Sequence, residues 1–107
     1  EESFSPLIPV QKVDSLDEAI QMSNATKYGL GCTIFTKDIE RAMNAADKIK
    51  SGTVCINSPL MENIAAPFGG MKQSGIGREH GIDALDEFRE AKHIYIDYEH
   101  NKKNWWF

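Results

Sequence analysis

The stretch from Leu30 to Ile56 reads LGCTIFTKDIERAMNAADKIKSGTVCI. Leu30–Thr36 and Thr53–Ile56 are rich in apolar and β-branched residues, which predicts a strand at each end. Between them lies a predicted helix that Asp38 caps and Gly52 stops; its single apolar face comprises Ile39, Ala42, Met43, Ala46 and Ile49. Strand, helix and strand in this order predict a crossover connection, and therefore a parallel or mixed sheet with helices packed on it.

Upstream of this unit the chain predicts another strand and another helix. Leu7–Val13 is an apolar strand candidate, and Pro9 indicates an edge or a strand end because it lacks a ladder donor. Ser15-Leu-Asp-Glu18 fits a capping box, in which the Ser15 hydroxyl and the Glu18 carboxylate satisfy otherwise unpaired amides. We expect the helix to end at Tyr28–Gly29, since glycine suits the left-handed conformation that follows a helix.

Downstream, Asn57–Glu79 contains four glycines and two prolines and is predicted to be a long specialised loop. Long ordered loops usually carry function. Beyond it, Ile82, Leu85 and Phe88 mark a third helix. His93–Tyr98 then alternates as a terminal strand.

The terminal strand has no following strand to pair with. An alternating strand without a partner is a pairing hazard, so β-addition to another subunit is its expected fate. The chain then closes on Asn104-Trp-Trp-Phe107, whose aromatic side chains are costly to expose to water.

Composition limits the function classes. With 107 residues, 41% hydrophobic and 26% charged, the chain resembles one globular domain. A net charge of -4 gives no electrostatic reason to expect nucleic acid or an anionic membrane as a partner. No apolar run is long enough for a membrane span and Glu1–Phe4 does not resemble a signal peptide, which favours a cytoplasmic origin. The first residue is not Met, which favours a processed or truncated piece of a longer chain.

The sequence predicts no nucleophilic cysteine, no metal site and no dinucleotide-binding turn. Cys32 and Cys55 lie in apolar strand-like runs, so we interpret both as buried free thiols rather than as a disulfide or a nucleophile. No metal site is expected, because His80, His93 and His100 do not combine with these cysteines at a metal-ligand spacing. Gly75 and Gly77 also do not fit a dinucleotide-binding turn, since the third glycine is at 81 rather than 80 and no strand leads into it.

A family resemblance adds what spacing cannot. The segment Pro67-Phe-Gly-Gly-Met-Lys-Gln-Ser-Gly-Ile-Gly-Arg-Glu79 resembles the signature that closes the catalytic domain of NAD(P)-dependent aldehyde dehydrogenases. Further segments match the family in the same order: Glu1–Pro6, Lys27–Leu30, Phe35–Asp38 and Gly52–Asn57. The resemblance implies an α/β fold, with residues 1–91 as the C-terminal part of the catalytic domain and residues 92–107 as an oligomerisation strand and aromatic tail.

On the cofactor side, the resemblance implies that Glu2 holds the nicotinamide ribose hydroxyls of NAD or NADP, and that Phe4 packs beside the nicotinamide. A charged chain end is the competing interpretation of Glu2. Ser5 departs from the family, which usually has glycine there, so a turn that needs a positive φ would be strained or reshaped at this point.

On the substrate side, the resemblance implies that Phe68 lines the aldehyde tunnel, while Leu60, Met61 and Glu62 shape substrate choice. Buried loop anchors are the competing interpretation of Phe68 and Met61. Glu62 in the tunnel would favour a polar or cationic aldehyde over an anionic one. The polar loop residues are expected to fix the loop to the domain: Lys72, Ser74, Arg78 and Glu79.

The resemblance implies thiol addition to an aldehyde, hydride transfer to NAD(P)+ and hydrolysis of the thioester. No residue of this chain matches the family's catalytic Cys, general-base Glu, oxyanion-stabilising Asn or nucleotide-binding domain. We therefore expect the isolated chain to be inactive, without tight cofactor binding, and expect a homo-oligomer formed through Lys92–Tyr98. The alternative is a self-standing, non-catalytic interaction module that kept the fold and its strand-adding edge.

Overall fold

The computed structural model describes residues 2–59, 61 and 63–98. The elements follow one another as α1 (Leu16–Ala25), β1 (Tyr28–Gly29), β2 (Gly31–Ile34), α2 (Ile39–Lys48), β3 (Thr53–Ile56), β4 (Met71–Lys72) and a 3-10 helix, η1 (Asp83–Phe88).

The central unit is the predicted crossover. β2 and β3 run parallel, with Gly31 opposite Thr53 and Ile34 opposite Ile56, and α2 connects them. The ladder extends by one bond at its end, where the Asn57 N–H donates to the Ile34 carbonyl at 2.8 Å. The prediction of an α/β unit with a parallel strand pair is therefore confirmed.

Both predicted helix starts are confirmed by their caps. The Ser15 hydroxyl accepts from the Glu18 N–H at 3.1 Å, and the Asp38 carboxylate accepts from the Arg41 N–H at 3.0 Å. The Glu18 carboxylate accepts from the Asp14 N–H at 2.8 Å, one residue before the amide that a standard capping box uses. These short-range bonds satisfy amides that a helix leaves unpaired in its first turn.

Two glycines serve a purpose other than the predicted one. α1 ends at Ala25 and α2 at Lys48, in each case through an extended residue, so neither Gly29 nor Gly52 is a left-handed helix terminator. A Cβ at Gly29 would overlap the carbonyl oxygen of Lys50, and a Cβ at Gly52 would overlap that of Gly69. Both glycines are needed because two backbones pass close together, a constraint that no local pattern reveals.

Two predicted strands and the third helix differ from expectation. Leu7–Val13 forms no strand, and Leu7 is 74% and Val10 91% exposed. The segment 93–98 also joins no ladder within the described residues, and Ile94 and Ile96 are 71% and 60% exposed. A strand requires a partner strand, which alternation alone cannot supply. The predicted third helix is the 3-10 helix η1, and its apolar residues are exposed: Ile82, Leu85 and Phe88. The aromatic residues at 104–107 lie outside the described residues.

The core is small for a chain of this size. Among the described residues, the buried apolar side chains are Ile20, Ala42 and Ala45, and no large side chain is fully buried. The radius of gyration is 21.6 Å, whereas a compact domain of about 100 residues has about 13 Å. The described strands form two two-stranded sheets in place of one larger sheet. Many large apolar side chains of the described residues are therefore exposed. No helix in this part of the chain is long and apolar enough to cross a membrane.

Candidate functional site

The loop that carries the family-like signature is closed by a two-way backbone bridge. The Phe68 N–H donates to the Glu79 carbonyl at 2.7 Å, and the Glu79 N–H donates to the Phe68 carbonyl at 2.8 Å. Inside this bridge, β4 pairs antiparallel with β1, so that Lys72 lies opposite Tyr28 and Met71 opposite Gly29. Residues 68–79 are therefore held at their base and at their middle.

Three polar side chains fix the loop. The Arg78 guanidinium donates to the Gly70 carbonyl at 2.9 Å, and the Ser74 hydroxyl accepts from the Gly29 N–H at 2.8 Å. The Lys72 ammonium donates to the Thr26 carbonyl at 2.8 Å, just beyond the end of α1. The prediction that the polar residues fix the loop to the domain is confirmed for Lys72 and Ser74, whereas the Arg78 guanidinium bonds only within the loop and Glu79 contributes through its backbone.

The fixed loop borders an open cleft of about 400 Å³. Phe68 lines the cleft and is half-buried. The other lining residues include Leu30, Ser74, Ile76, Arg78, Glu87 and the backbone of Gly69 and Gly70. The Glu87 carboxylate also accepts from the Arg78 N–H at 3.3 Å, which ties η1 to the same wall. An aromatic ring beside a hydrogen-bonded turn is a surface that an apolar or cationic group can contact.

His80 is the residue that sequence reasoning missed, because it was considered only as a metal ligand. Its ring lies 6.1 Å from the Phe68 ring between centroids, with an interplanar angle of 36°. The chain adopts φ +64° at His80, the left-handed region. His80 follows the bridge residue Glu79, and the bridge places it beside Phe68. The sequence alone does not reveal this bridge.

Of the other predicted site residues, the three that the structure describes, Glu2, Phe4 and Met61, do not line this cleft. Met61 is 67% exposed, and Leu60 and Glu62 lie outside the described residues. Glu2 is exposed and Phe4 is 91% exposed in the extended segment at the start of the chain. The positive φ of this segment, +45°, falls on Phe4. Ser5 carries no positive φ, so the strain expected from its replacement of glycine is not found at this position.

Neither cysteine is placed to act as a nucleophile. Both thiols are free and half-buried, so they are less buried than predicted. Cys32 lies opposite Val54 and Cys55 opposite Thr33 in the parallel pair. Burial, and to a lesser degree Cys55, raises the pKa of the Cys32 thiol, which disfavours the thiolate that catalysis requires. Within the described part of the chain, no three His, Cys, Asp or Glu side chains are grouped as a metal site.

Known proteins resemble this chain over most of its length. The model of the aldehyde dehydrogenase family matches residues 1–94. The mitochondrial 10-formyltetrahydrofolate dehydrogenase of Mus musculus is 44% identical over 100 residues, which is 92% of this chain and 11% of that protein. The NAD(P)+ aldehyde dehydrogenase 1 of Saccharomyces cerevisiae is 43% identical over 97 residues, which is 91% of this chain and 19% of that protein.

The fold is also that of a solved enzyme. The betaine aldehyde dehydrogenase of Staphylococcus aureus, in complex with NAD+, superposes with a TM-score of 0.89 at 43% identity, over 100% of this chain and 21% of that one. The chain thus spans about a tenth to a fifth of the length of these relatives. Since the family model and the identities each cover nine-tenths of the sequence, this chain belongs to the aldehyde dehydrogenase family.

Proposed function

We propose that this chain forms the C-terminal part of the catalytic domain of an aldehyde dehydrogenase, which oxidises an aldehyde to a carboxylic acid with NAD+ or NADP+. The observation that carries the proposal is the anchored loop 68–79, which presents the Phe68 ring at a cleft. The family membership supplies the reaction class, and the sparse core supports a segment whose apolar surfaces are covered by a larger enzyme. That larger enzyme would supply the remaining strands and the three-layer architecture.

The proposed roles follow the loop and the chain start. Phe68 lines the aldehyde tunnel, and Leu60, Met61 and Glu62 tune which aldehyde enters. Glu2 and Phe4 fit the cofactor side chemically, because an exposed carboxylate can accept two ribose hydroxyls and an exposed ring can pack on a flat heterocycle. When bound, the nicotinamide cofactor accepts the hydride; this chain's residues orient the bound groups.

The reacting nucleophile and base are assigned to the larger enzyme. The raised pKa of Cys32 and the half-burial of both thiols support this assignment. Purified 107-residue chain mixed with aldehyde and NAD+ or NADP+ is expected to give no increase in absorbance at the wavelength of NAD(P)H. Robust turnover by this material would overturn the assignment.

A chimera tests the reaction class directly. In the hybrid protein, called the chimera below, the present chain replaces the similar segment of the Staphylococcus aureus betaine aldehyde dehydrogenase, to which it is 43% identical. We expect the chimera to fold and to oxidise betaine aldehyde with NAD+. The host enzyme truncated by the same segment is the control and is expected to be inactive. A folded chimera without turnover would contradict the proposed function.

The segment 92–98 is proposed to join a second copy of the enzyme by strand addition. Its support is the exposed alternating face of Ile94, Ile96 and Tyr98, which are 71%, 60% and 82% exposed. Sedimentation velocity of the chimera and of its Ile96→Lys variant tests this, and the variant is expected to shift to smaller species. An unchanged assembly would exclude the segment as an interface.

The same exposed face also favours the second candidate, a non-catalytic interaction module. Under that alternative, the isolated chain forms a discrete dimer with fixed aromatic circular dichroism. A monomer or aggregate without that signal would indicate a segment that needs its larger enzyme.

A further inference from the structure

Hydrogen bonds fix the backbone of Phe68, but they do not fix the orientation of its ring. The two bridge bonds to Glu79, 2.7 and 2.8 Å long, set the position of the Phe68 Cα. These two bonds alone do not select a single rotamer of the ring, because more than one staggered side-chain rotamer is compatible with a given backbone. Whatever contacts the ring decides which face it turns to the cleft.

Among the described residues, His80 has its ring beside the Phe68 ring and can set its orientation. Its ring centroid lies 6.1 Å from that of Phe68 with the planes tilted by 36°, within the range of about 4.5–7 Å over which aromatic rings attract one another. His80 directly follows Glu79, so the bridge that holds Phe68 also holds the backbone of its ring partner. The contact is therefore built into the base of the loop.

The His80 side chain is half-buried. Its Nδ1 atom is enclosed, and within the described residues it has no hydrogen-bond partner. The backbone at His80 lies in the left-handed region, φ +64°, which most side chains avoid and which histidine, asparagine and aspartate accept more readily. An aromatic side chain that tolerates this backbone thus occupies the position behind Phe68.

We infer that His80 is a positioning residue for the aldehyde site, which acts by setting the orientation of the Phe68 ring. The inference rests on the proposed function, in which Phe68 lines the tunnel. A ring with a fixed face favours a quaternary ammonium group in front of it, because the attraction between a cation and a ring depends on the angle of approach. A neutral group of the same shape relies on contact area, which depends less on orientation.

The test compares two aldehydes of equal shape in the chimera. Betaine aldehyde carries a trimethylammonium group, and 3,3-dimethylbutanal carries a tert-butyl group in its place. The measured quantity is the ratio of kcat/KM for the cationic aldehyde to kcat/KM for the neutral one. His80→Asn removes the ring and keeps a residue that accepts a positive φ. We expect it to lower the ratio about threefold or more, the scale of one aromatic contact.

A mutant cycle shows whether His80 acts through Phe68. In a Phe68→Leu background, His80→Asn is expected to leave the ratio unchanged, since the ring on which it acts is gone. His80→Phe keeps an aromatic partner at the cost of strain from the positive φ, and a folded His80→Phe variant is expected to keep the wild-type ratio. A fold change that persists in the Phe68→Leu background would overturn the inference, because His80 would then act by another route.

The outcomes separate the two proposals. A folded chimera that turns over neither aldehyde would overturn the proposed function. An active chimera whose ratio is unchanged by His80→Asn would overturn only the positioning role of His80. Melting of each variant by circular dichroism identifies a folding failure. If His80→Asn does not fold, the ratios of His80→Phe and Phe68→Leu decide. His80→Phe must keep the wild-type ratio, and Phe68→Leu must lower it.

Discussion

The Ser74 hydroxyl accepts a hydrogen bond of 2.8 Å from the backbone N–H of Gly29, across 45 residues of sequence. The bond lies where β1 pairs with β4, and it is part-buried. It connects the signature loop to the segment between α1 and β2. The loop that carries the candidate site is therefore anchored to the part of the fold that the crossover unit stabilises.

Removing this anchor is expected to loosen the loop. Ser74→Ala leaves the part-buried Gly29 N–H without its acceptor, which costs about 1–3 kcal/mol. Hydrogen exchange of the chimera, followed by mass spectrometry on the peptide that contains Gly29, is expected to show faster exchange in this variant. Ser58→Ala is the matched control, since the Ser58 hydroxyl donates only to the adjacent Pro59 carbonyl. Equal exchange in Ser74→Ala and wild type would exclude the bond as an anchor.

The Lys72 ammonium is expected to stabilise the end of α1. It donates to the Thr26 carbonyl at 2.8 Å, and a cation near the last carbonyls of a helix is worth about 0.3–1 kcal/mol. Lys72→Met in the chimera should lower the melting temperature slightly, and high salt should shrink the difference from wild type. The exposed Lys37→Met serves as the control for loss of one charge. A difference that is independent of salt would contradict an electrostatic contribution.

Gly52→Ala is expected to displace the wall of the cleft. The added Cβ would overlap the Gly69 carbonyl, which is a backbone group and cannot move aside cheaply. We expect a destabilised chimera with reduced soluble yield, and reduced turnover in the part that folds. Gly75→Ala is the informative comparison, because its Cβ would meet nothing within 4 Å and its cost comes only from the φ of +135°. A Gly52→Ala variant as stable as wild type would show that the two backbones are not in contact.

The Cys32 thiol is expected to react slowly with iodoacetamide. Its pKa is raised by burial and by Cys55, so at a given pH near neutrality a smaller fraction is thiolate than in a free cysteine. The rate should increase as the pH is raised, and it should approach that of a free thiol only after unfolding in urea. Peptide mass spectrometry of the purified chain follows the labelling, and Cys32→Ser identifies the labelled position. Labelling of native Cys32 as fast as glutathione at neutral pH would contradict this prediction.

Glu62 is expected to favour cationic aldehydes. Glu62→Gln in the chimera removes one negative charge at nearly constant volume, and we expect kcat/KM for betaine aldehyde to fall several-fold while kcat/KM for an anionic aldehyde rises. Both rates come from NADH formation under the same salt concentration. Equal effects on the cationic and anionic aldehydes would show that the side chain does not face the tunnel.

Features that depend on neighbouring residues could be predicted from the sequence. The crossover unit follows from a three-to-four-residue apolar repeat between two β-forming runs, and the caps at Ser15 and Asp38 act over three residues. The signature from Pro67 to Glu79 likewise identified the family, which the family model confirms over residues 1–94. Its polar residues were expected to fix the loop to the domain, and the side chains of Lys72 and Ser74 do so.

What depends on distant partners could not be predicted. Leu7–Val13 and His93–Tyr98 have the composition of strands, but a strand forms only where a second strand lies beside it, and neither segment belongs to a strand ladder among the described residues. Gly29 and Gly52 resemble helix terminators, yet each is required by a carbonyl that passes beside it.

The same difference between local pattern and distant contact applies to the candidate site. The sequence by itself determined the family, the helix starts and the presence of Phe68 in a long loop, because these follow from residue types at short spacing. Only the tertiary structure decided that Ser74 meets Gly29 and that His80 lies behind Phe68. Such contacts are set by how separate backbone segments cross in space, and a one-dimensional pattern does not contain that distance.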